Sequence, residues 1–304
     1  MENHSKVRNS LIEILRLFAA LWVCYYHGIT LIERGAFFGN GRIAVDFFFI
    51  LSGFFLLKSL ESFKEKSLVK GSLNFVWKRL KPMLFTFSIC MVFSLIYFFS
   101  FELGGEYSSP FGYLWYIPYL LVIELCYYVC KRLVKKDWIF YIIIAVFGVA
   151  ANVLIFTRVT DFGMIRALAC LPIGIFVSLI PKIRVKNSAP ICIVSFLAIF
   201  AAIFAVSYIA PEPKIEDPIL ILVLFPSILY FANQIEFKNK YVNLVCSISL
   251  GLYCYQAVVR YFERTGQLTS PWVMFLIVLG LAILDVTIRK VYFVIKNKNK
   301  TRLA

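Results

Sequence analysis

Arg16 and His27 stand inside an otherwise apolar run, residues 11–29, LIEILRLFAALWVCYYHGI. A guanidinium near the middle of a membrane-spanning helix costs about 2.5–3.5 kcal/mol on insertion scales, so one that is retained faces the protein interior. At roughly 100° per residue, a separation of eleven residues leaves the two side chains offset by about 20° and about 16 Å apart along the axis. They share one face. An imidazole there is a candidate base for an attacking hydroxyl. The guanidinium keeps its proton and is a candidate for holding an anion or a carbonyl. Each residue also has a structural alternative. His27 can be an interfacial polar residue bonded to backbone or water, and Arg16 can pair with Glu13, three positions earlier.

The next apolar run, Gly41-Arg42-Ile43-Ala44-Val45-Asp46-Phe47-Phe48-Phe49-Ile50-Leu51-Ser52-Gly53-Phe54, adds a carboxylate. With the first helix running outward and the second returning, Asp46 is expected at a depth similar to His27. A carboxylate on one imidazole nitrogen would fix the tautomer and raise the basicity of the other. The alternative for Asp46 is a helix-start residue stabilised by the N-terminal dipole.

Arg16-x10-His27 together with Val45-Asp46-Phe47-Phe48 and Ser52-Gly53-Phe54 resembles the membrane-bound acyltransferase 3 family. The resemblance implies transfer of acyl groups, often acetyl, from cytoplasmic acyl-CoA to extracytoplasmic glycans, lipids or antibiotics. It continues at Arg79-Leu80-Lys81-Pro82, which is similar to the family's Arg-x-x-Pro entry to helix three. It is thinner at Leu114-Trp115-Tyr116 and at Arg166 with Gly174. Near the end of the chain, Gln256 stands where many members carry histidine, and glutamine does not titrate near neutral pH. By this resemblance His27, Arg16 and Asp46 are the catalytic set. Arg79, Lys81, Arg166, Ser52, Trp115 and Gln256 are expected to bind donor or substrate. Arg79 and Lys81 have an alternative as ordinary basic residues of a cytoplasmic loop.

Composition sets the frame that must position these residues. With 61% apolar and 17% aromatic residues and a mean hydropathy of +0.81, the chain is too apolar for a soluble domain and is expected to be a polytopic membrane protein. The spans fall near 10–29, 42–57, 83–100, 111–130, 138–156, 163–180, 189–208, 218–235, 242–262 and 271–295. The expected fold class is therefore an all-α bundle of about ten transmembrane helices, read as one domain over 1–304 with no appended soluble domain expected.

Twenty-four of the 32 Lys and Arg residues fall in one alternate set of segments: the N-terminal tail with Lys6 and Arg8, Lys58 through Lys81, Lys131 through Lys136, Lys182 through Lys186, Lys238 and Lys240, and Arg289 through Arg302. The other set holds seven, so the positive-inside rule places both termini in the cytoplasm. The net charge of +15 then reports orientation and not nucleic-acid binding. Trp115 and Trp272 are expected at outer helix ends, with Trp77 and Trp138 at inner ends.

The eight cysteines lie within the expected spans without CxxC spacing and read as small apolar residues. No metal site is expected, and no cleavable signal peptide. Glu124 and Asp285 are further intramembrane acids that line a cavity or pair with a cation not identified by the sequence. GxSxG, HExxH and Walker-type motifs are absent.

The reading that follows is an integral O-acyltransferase of the cell membrane. It binds no resident cofactor, takes acyl-CoA (acetyl favoured) as donor and acts on an extracytoplasmic glycan. Its partners are the bilayer and these substrates, and a homo-oligomer is compatible with it. The rival is a transporter or flippase of glycan precursors that uses Arg16, His27 and Asp46 as a polar pathway.

Overall fold

The computed structural model describes residues 9–29, 40–62, 67–102, 114–134, 136–160, 162–183, 188–209, 213–256, 258–259, 262, 266 and 270–302. The tail with Lys6 and Arg8 and the loop segment 103–113 lie outside them. Among the described residues the regular elements are all helical: α1 (Ser10–Ile29), α2 (Gly41–Ser62), α3 (Leu68–Leu80), α4 (Leu84–Tyr97), α5 (Tyr116–Leu133), α6 (Asp137–Phe156), α7 (Gly163–Leu179), α8 (Ser188–Ile209), α9 (Pro213–Ile219), α10 (Phe225–Gln234), α11 (Lys240–Cys246), α12 (Ser249–Cys254) and α13 (Pro271–Arg302). Turns of π-helix occur at Phe98–Glu102 and Leu220–Leu224.

Among the described residues, six stretches are long and apolar enough to cross a membrane: Ser10–His27, Gly41–Ser62, Asp137–Phe156, Ala189–Tyr208, Glu216–Gln234 and Trp272–Tyr292. A seventh is added if α3 and α4, bent by 80°, count as one span. α7 is apolar but has 17 residues. α5 carries Glu124, Lys131 and Arg132.

The stretch 242–262, expected as one span, is divided at Ser247–Ile248 into α11 and α12. Ser247 Oγ bonds the Leu244 carbonyl and Ser249 Oγ the Cys246 carbonyl. Such side-chain bonds to the preceding turn compete with the helical ladder. Between α9 and α10 the ladder slips to i→i−5, with Phe225 N–H donating to the Leu220 carbonyl. Pro218 and Pro226 flank the slip, and neither has an N–H to maintain the regular register.

α2 is buried on almost every side, from Gly41 through Leu60, as expected of a helix apolar all round. Its main neighbour is α7. Their backbones touch at two glycines: a Cβ on Gly53 would fall on the Leu171 carbonyl oxygen, and one on Gly174 on that of Ile50. Small residues are what allow such an approach between membrane helices. α6 closes on the far side of α7, where Asn152 Nδ2 donates to the carbonyls of Gly148 at 2.8 Å and Ala169 at 3.1 Å. Trp77, Trp138 and Trp272 are exposed on the outside, as residues of an interfacial belt would be, whereas Trp115 turns inward over Gly163.

Gly174→Val is expected to destabilise the protein by about 1–3 kcal/mol, because the obstructing atom is backbone and the two helices must separate. Gly280→Ala on α13, where a Cβ meets nothing within 4 Å, is the matched control and should leave stability unchanged or slightly raised. Thermal unfolding in detergent checks both, and a wild-type midpoint for Gly174→Val would refute the close packing of α2 on α7.

Candidate functional site

The start of α1 is fastened to the loop between α10 and α11. Asn9 Nδ2 donates to the carbonyls of Ala232 and Ile235 at 2.9 and 2.8 Å, and Ser10 N–H to that of Phe237 at 2.7 Å. In return Asn239 N–H donates to Ser10 Oγ at 2.7 Å, while the Asn239 side chain caps α11. This clamp sets the height and rotation of α1 and so aims Arg16 and His27.

Arg16 takes the ion pair that the sequence offered: Nη1 donates to both Glu13 oxygens, at 3.0 and 2.7 Å. Its side chain remains 27% exposed. Arg79 of α3 reaches Glu124 of α5 at 3.1 Å, so the cation that the sequence left unidentified for Glu124 is Arg79. Tyr116, at the start of α5, lies close enough to Glu124, Arg16 and Arg79 to feel all three charges. Its hydroxyl is 3.0 Å from Ser52 Oγ and donates to the Phe48 carbonyl at 3.3 Å. Ser52 thus bonds the tyrosine directly, while Arg16 and Arg79, from two further helices, act on it through their charges. Two arginines, each with its own carboxylate, and a hydroxyl pair form a polar group suited to a ligand with anionic and carbonyl parts.

His27 lies in the last turn of α1, half-buried, with its ring edge-on to Tyr26 at 5.0 Å between centroids. The first residue of α2 meets that tyrosine: a Cβ on Gly41 would enter the Tyr26 ring. Cys24, three residues before His27, donates through Sγ to the Leu252 carbonyl at 3.2 Å. Gln256 Nε2 donates to the same carbonyl at 3.1 Å and to Cys24 Sγ at 3.4 Å. Gln256 is therefore a buried support one turn below His27.

Asp46 departs from its expected place. Its carboxylate does not hold His27; Arg166 of α7 donates to both of its oxygens, through Nε to Oδ1 at 2.9 Å and through Nη2 to Oδ2. Asp46 is 0% exposed and Arg166 1%. The reason is geometric, since Asp46 lies on the side of α2 that packs against α7. Arg166 was expected to meet substrate, but its guanidinium is inside the protein, taken up by Asp46 and, at 3.8 Å, by Asp217.

The cluster extends through Asp217. Arg158 Nη1 is 3.4 Å from its Oδ2, and Asn40 Nδ2 donates to its Oδ1 at 2.9 Å and to Glu216 at 3.4 Å. None of Asn40, Arg158, Glu216 or Asp217 stood out in the sequence as part of the cluster around Arg166. The one local signal was the acidic Glu216-Asp217 pair opening an apolar helix. Arg158 holds a left-handed backbone, φ 61°, at the end of α6.

Of the remaining expected residues, Lys81 closes α3, its N–H donating to the Trp77 carbonyl at 2.8 Å with the residue exposed. Trp115 packs on Phe49 and Tyr119, at 6.2 and 6.1 Å between centroids. Asp285, the other acid without an identified cation, is paired with Arg289 and accepts from Thr86 at 2.9 Å and Tyr255 at 3.4 Å. A narrow apolar crevice lies on the other side of α1, lined by Phe18, Trp22, Phe47, Phe200 and Phe225 among others. It contains no titratable group and is packing space, not a site of chemistry.

Removing one partner of a buried ion pair strands the other, at a cost of about 3–5 kcal/mol. Asp46→Asn and Arg166→Gln are each expected to lose stability on that scale, and the double variant less than their sum. Thermal unfolding of the three variants gives the coupling, and strictly additive losses would show that the pair is not one unit.

A family model described as an acyltransferase domain, that of the acyltransferase 3 family, matches residues 9–287. No curated protein and no solved structure matches the chain. The matched stretch includes every site residue from Arg16 to Gln256, and the chain therefore belongs to the acyltransferase 3 family.

Proposed function

We propose that the protein is an integral-membrane O-acyltransferase that moves an acyl group, acetyl in the first instance, from cytoplasmic acyl-CoA to a hydroxyl of an extracytoplasmic carbohydrate. The observation that carries this reading is Arg16 and His27 eleven residues apart on the helix that opens the family match. Ten spans with both termini cytoplasmic, in the plasma membrane, complete the proposal, supported by the distribution of basic residues. The donor's polar arm enters at the inner end, past Arg79, Lys81 and Arg16, and presents its thioester toward His27.

There the acceptor oxygen attacks the thioester carbonyl. The C–O bond forms, the C–S bond breaks, His27 takes the hydroxyl proton, and the departing CoA sulfur regains one. An acyl-histidine intermediate is equally compatible with this set. Asp46, Arg166 and Gln256 serve here by holding α2 and α12 in place around α1, without touching substrate. Mass spectrometry of surface glycans from cells with and without the gene tests the activity. A difference of one acyl group per modified sugar is expected, and a chemically unchanged glycan would favour transport.

The proposed orientation is tested with single cysteines placed in 131–137, 182–186, 102–109 and 211–216 of a cysteine-free background. A membrane-impermeant thiol reagent on intact cells should label only the last two positions. Labelling of the first two would invert the protein and remove the route for cytoplasmic donor.

Arg16 and His27 should divide the work. His27→Gln keeps a hydrogen bond but loses basicity, so donor binding should survive while the single-turnover rate falls by about 10²–10⁴. Arg16→Ala should weaken donor binding more than Arg16→Lys, which keeps the charge and loses the planar fork. Donor affinity and single-turnover rates in nanodiscs decide, and the reverse pattern would end this assignment.

A further inference from the structure

Two of the arginine–carboxylate pairs that join separate helices, Arg166 with Asp46 and Arg79 with Glu124, differ in fit. Arg166 presents Nε and Nη2 to both oxygens of Asp46. Arg79 Nε lies 3.1 Å from Glu124 Oε2 without hydrogen-bond alignment. Nε and Nη2 of Arg79 are buried and meet no hydrogen-bond acceptor among the described residues. A buried donor left unmade costs about 1–3 kcal/mol, more when charged, and that cost is relieved when an acceptor reaches it.

The surroundings fit an arginine that moves. Its side chain is 25% exposed, whereas Glu124 is 2% exposed. The guanidinium lies 5.7 Å from the Phe75 ring centroid, and Phe75 is itself stacked on Tyr128 at 4.8 Å. A flat aromatic shelf supports a guanidinium without dictating its in-plane direction. Glu124 has no other ion pair among the described residues.

We propose that Arg79 and Glu124 form a latch on donor binding: Glu124 holds Arg79 at rest, and an incoming phosphate group of acyl-CoA takes Arg79 over. The inference rests on acyl-CoA being the donor. A phosphate accepts two parallel N–H bonds from a guanidinium, so it satisfies the donors that Glu124 leaves unmade. The carboxylate, stranded in a low-dielectric site while Arg79 is away, draws it back. Glu124 thus lowers the affinity for phosphate-bearing donors in proportion to the fraction of Arg79 that it holds, and hastens the departure of CoA.

The test is equilibrium binding of acetyl-CoA and of S-acetylpantetheine, which lacks the phosphates, to the full chain in nanodiscs. Glu124→Gln should tighten acetyl-CoA binding about five- to tenfold, as expected when a competing state that holds most of the population is removed. S-Acetylpantetheine binding should not change. Arg79→Gln should weaken acetyl-CoA binding, and Glu124→Gln should then have no further effect. Glu124→Asp, which shortens the reach to Arg79, should tighten binding to a smaller degree and serves if the glutamine variant does not fold. Unchanged or weaker acetyl-CoA binding by folded Glu124→Gln or Glu124→Asp overturns the latch, as does an equal gain for S-acetylpantetheine. Wild-type protein that binds neither probe overturns the donor assignment itself, and the latch with it.

Discussion

A charged side chain surrounded by hydrocarbon has no solvent to neutralise it, so its counter-charge must come from the protein. Besides Asp217, which faces Arg158 and Arg166, four carboxylates meet that demand with four arginines: Glu13 with Arg16, Asp46 with Arg166, Glu124 with Arg79, and Asp285 with Arg289. Two of the pairs lie within one helix at i,i+3 and i,i+4 and constrain little beyond their own turn. The other two join α2 to α7 and α3 to α5, and the bidentate Asp46–Arg166 pair fixes a relation that apolar packing alone leaves free. Leucine and phenylalanine slide past one another at small cost, whereas a buried bidentate pair has one register.

That register matters most at α2. Its glycines allow it to touch α7 backbone to backbone, and Asp46 on Arg166 sets where along the axis the contact falls. The opposite side of the same helix carries Phe48 and Ser52 toward Tyr116, and its first residue meets Tyr26 beside His27. A displacement of α2 by one turn would therefore disturb both the tyrosine hydroxyl near Arg16 and the packing at His27. The site is assembled on one rigid helix whose height is fixed from behind.

The apolar runs and their helical character were legible in the sequence, because hydropathy over about twenty residues is a local quantity. So was the common face of Arg16 and His27, which depends only on helical geometry. The partner of Asp46 was not, because Arg166 lies 120 residues away and no periodicity connects them. Glu124 and Arg79 were visible singly for the same reason and joined only by the fold. The division between α11 and α12 escaped because hydropathy does not register serine hydroxyls that bond to the preceding turn. Gln256 was legible as a departure from the family pattern, while its place against Cys24 required the packing of α12 on α1.

The distance in sequence between Asp46 and Arg166 has a consequence for how the protein is made. Chain elongation at 5–20 residues per second puts the emergence of Arg166 roughly 6–24 s after that of Asp46. For that interval α2 exists without its neutralising cation and without α7 to cover it. A nascent helix in this condition is poorly suited to release into lipid and better kept at a hydrated or protein-lined boundary of the insertion machinery. Completion of α7 supplies the arginine and the glycine groove together, so the two helices enter the bilayer interior most favourably as a pair.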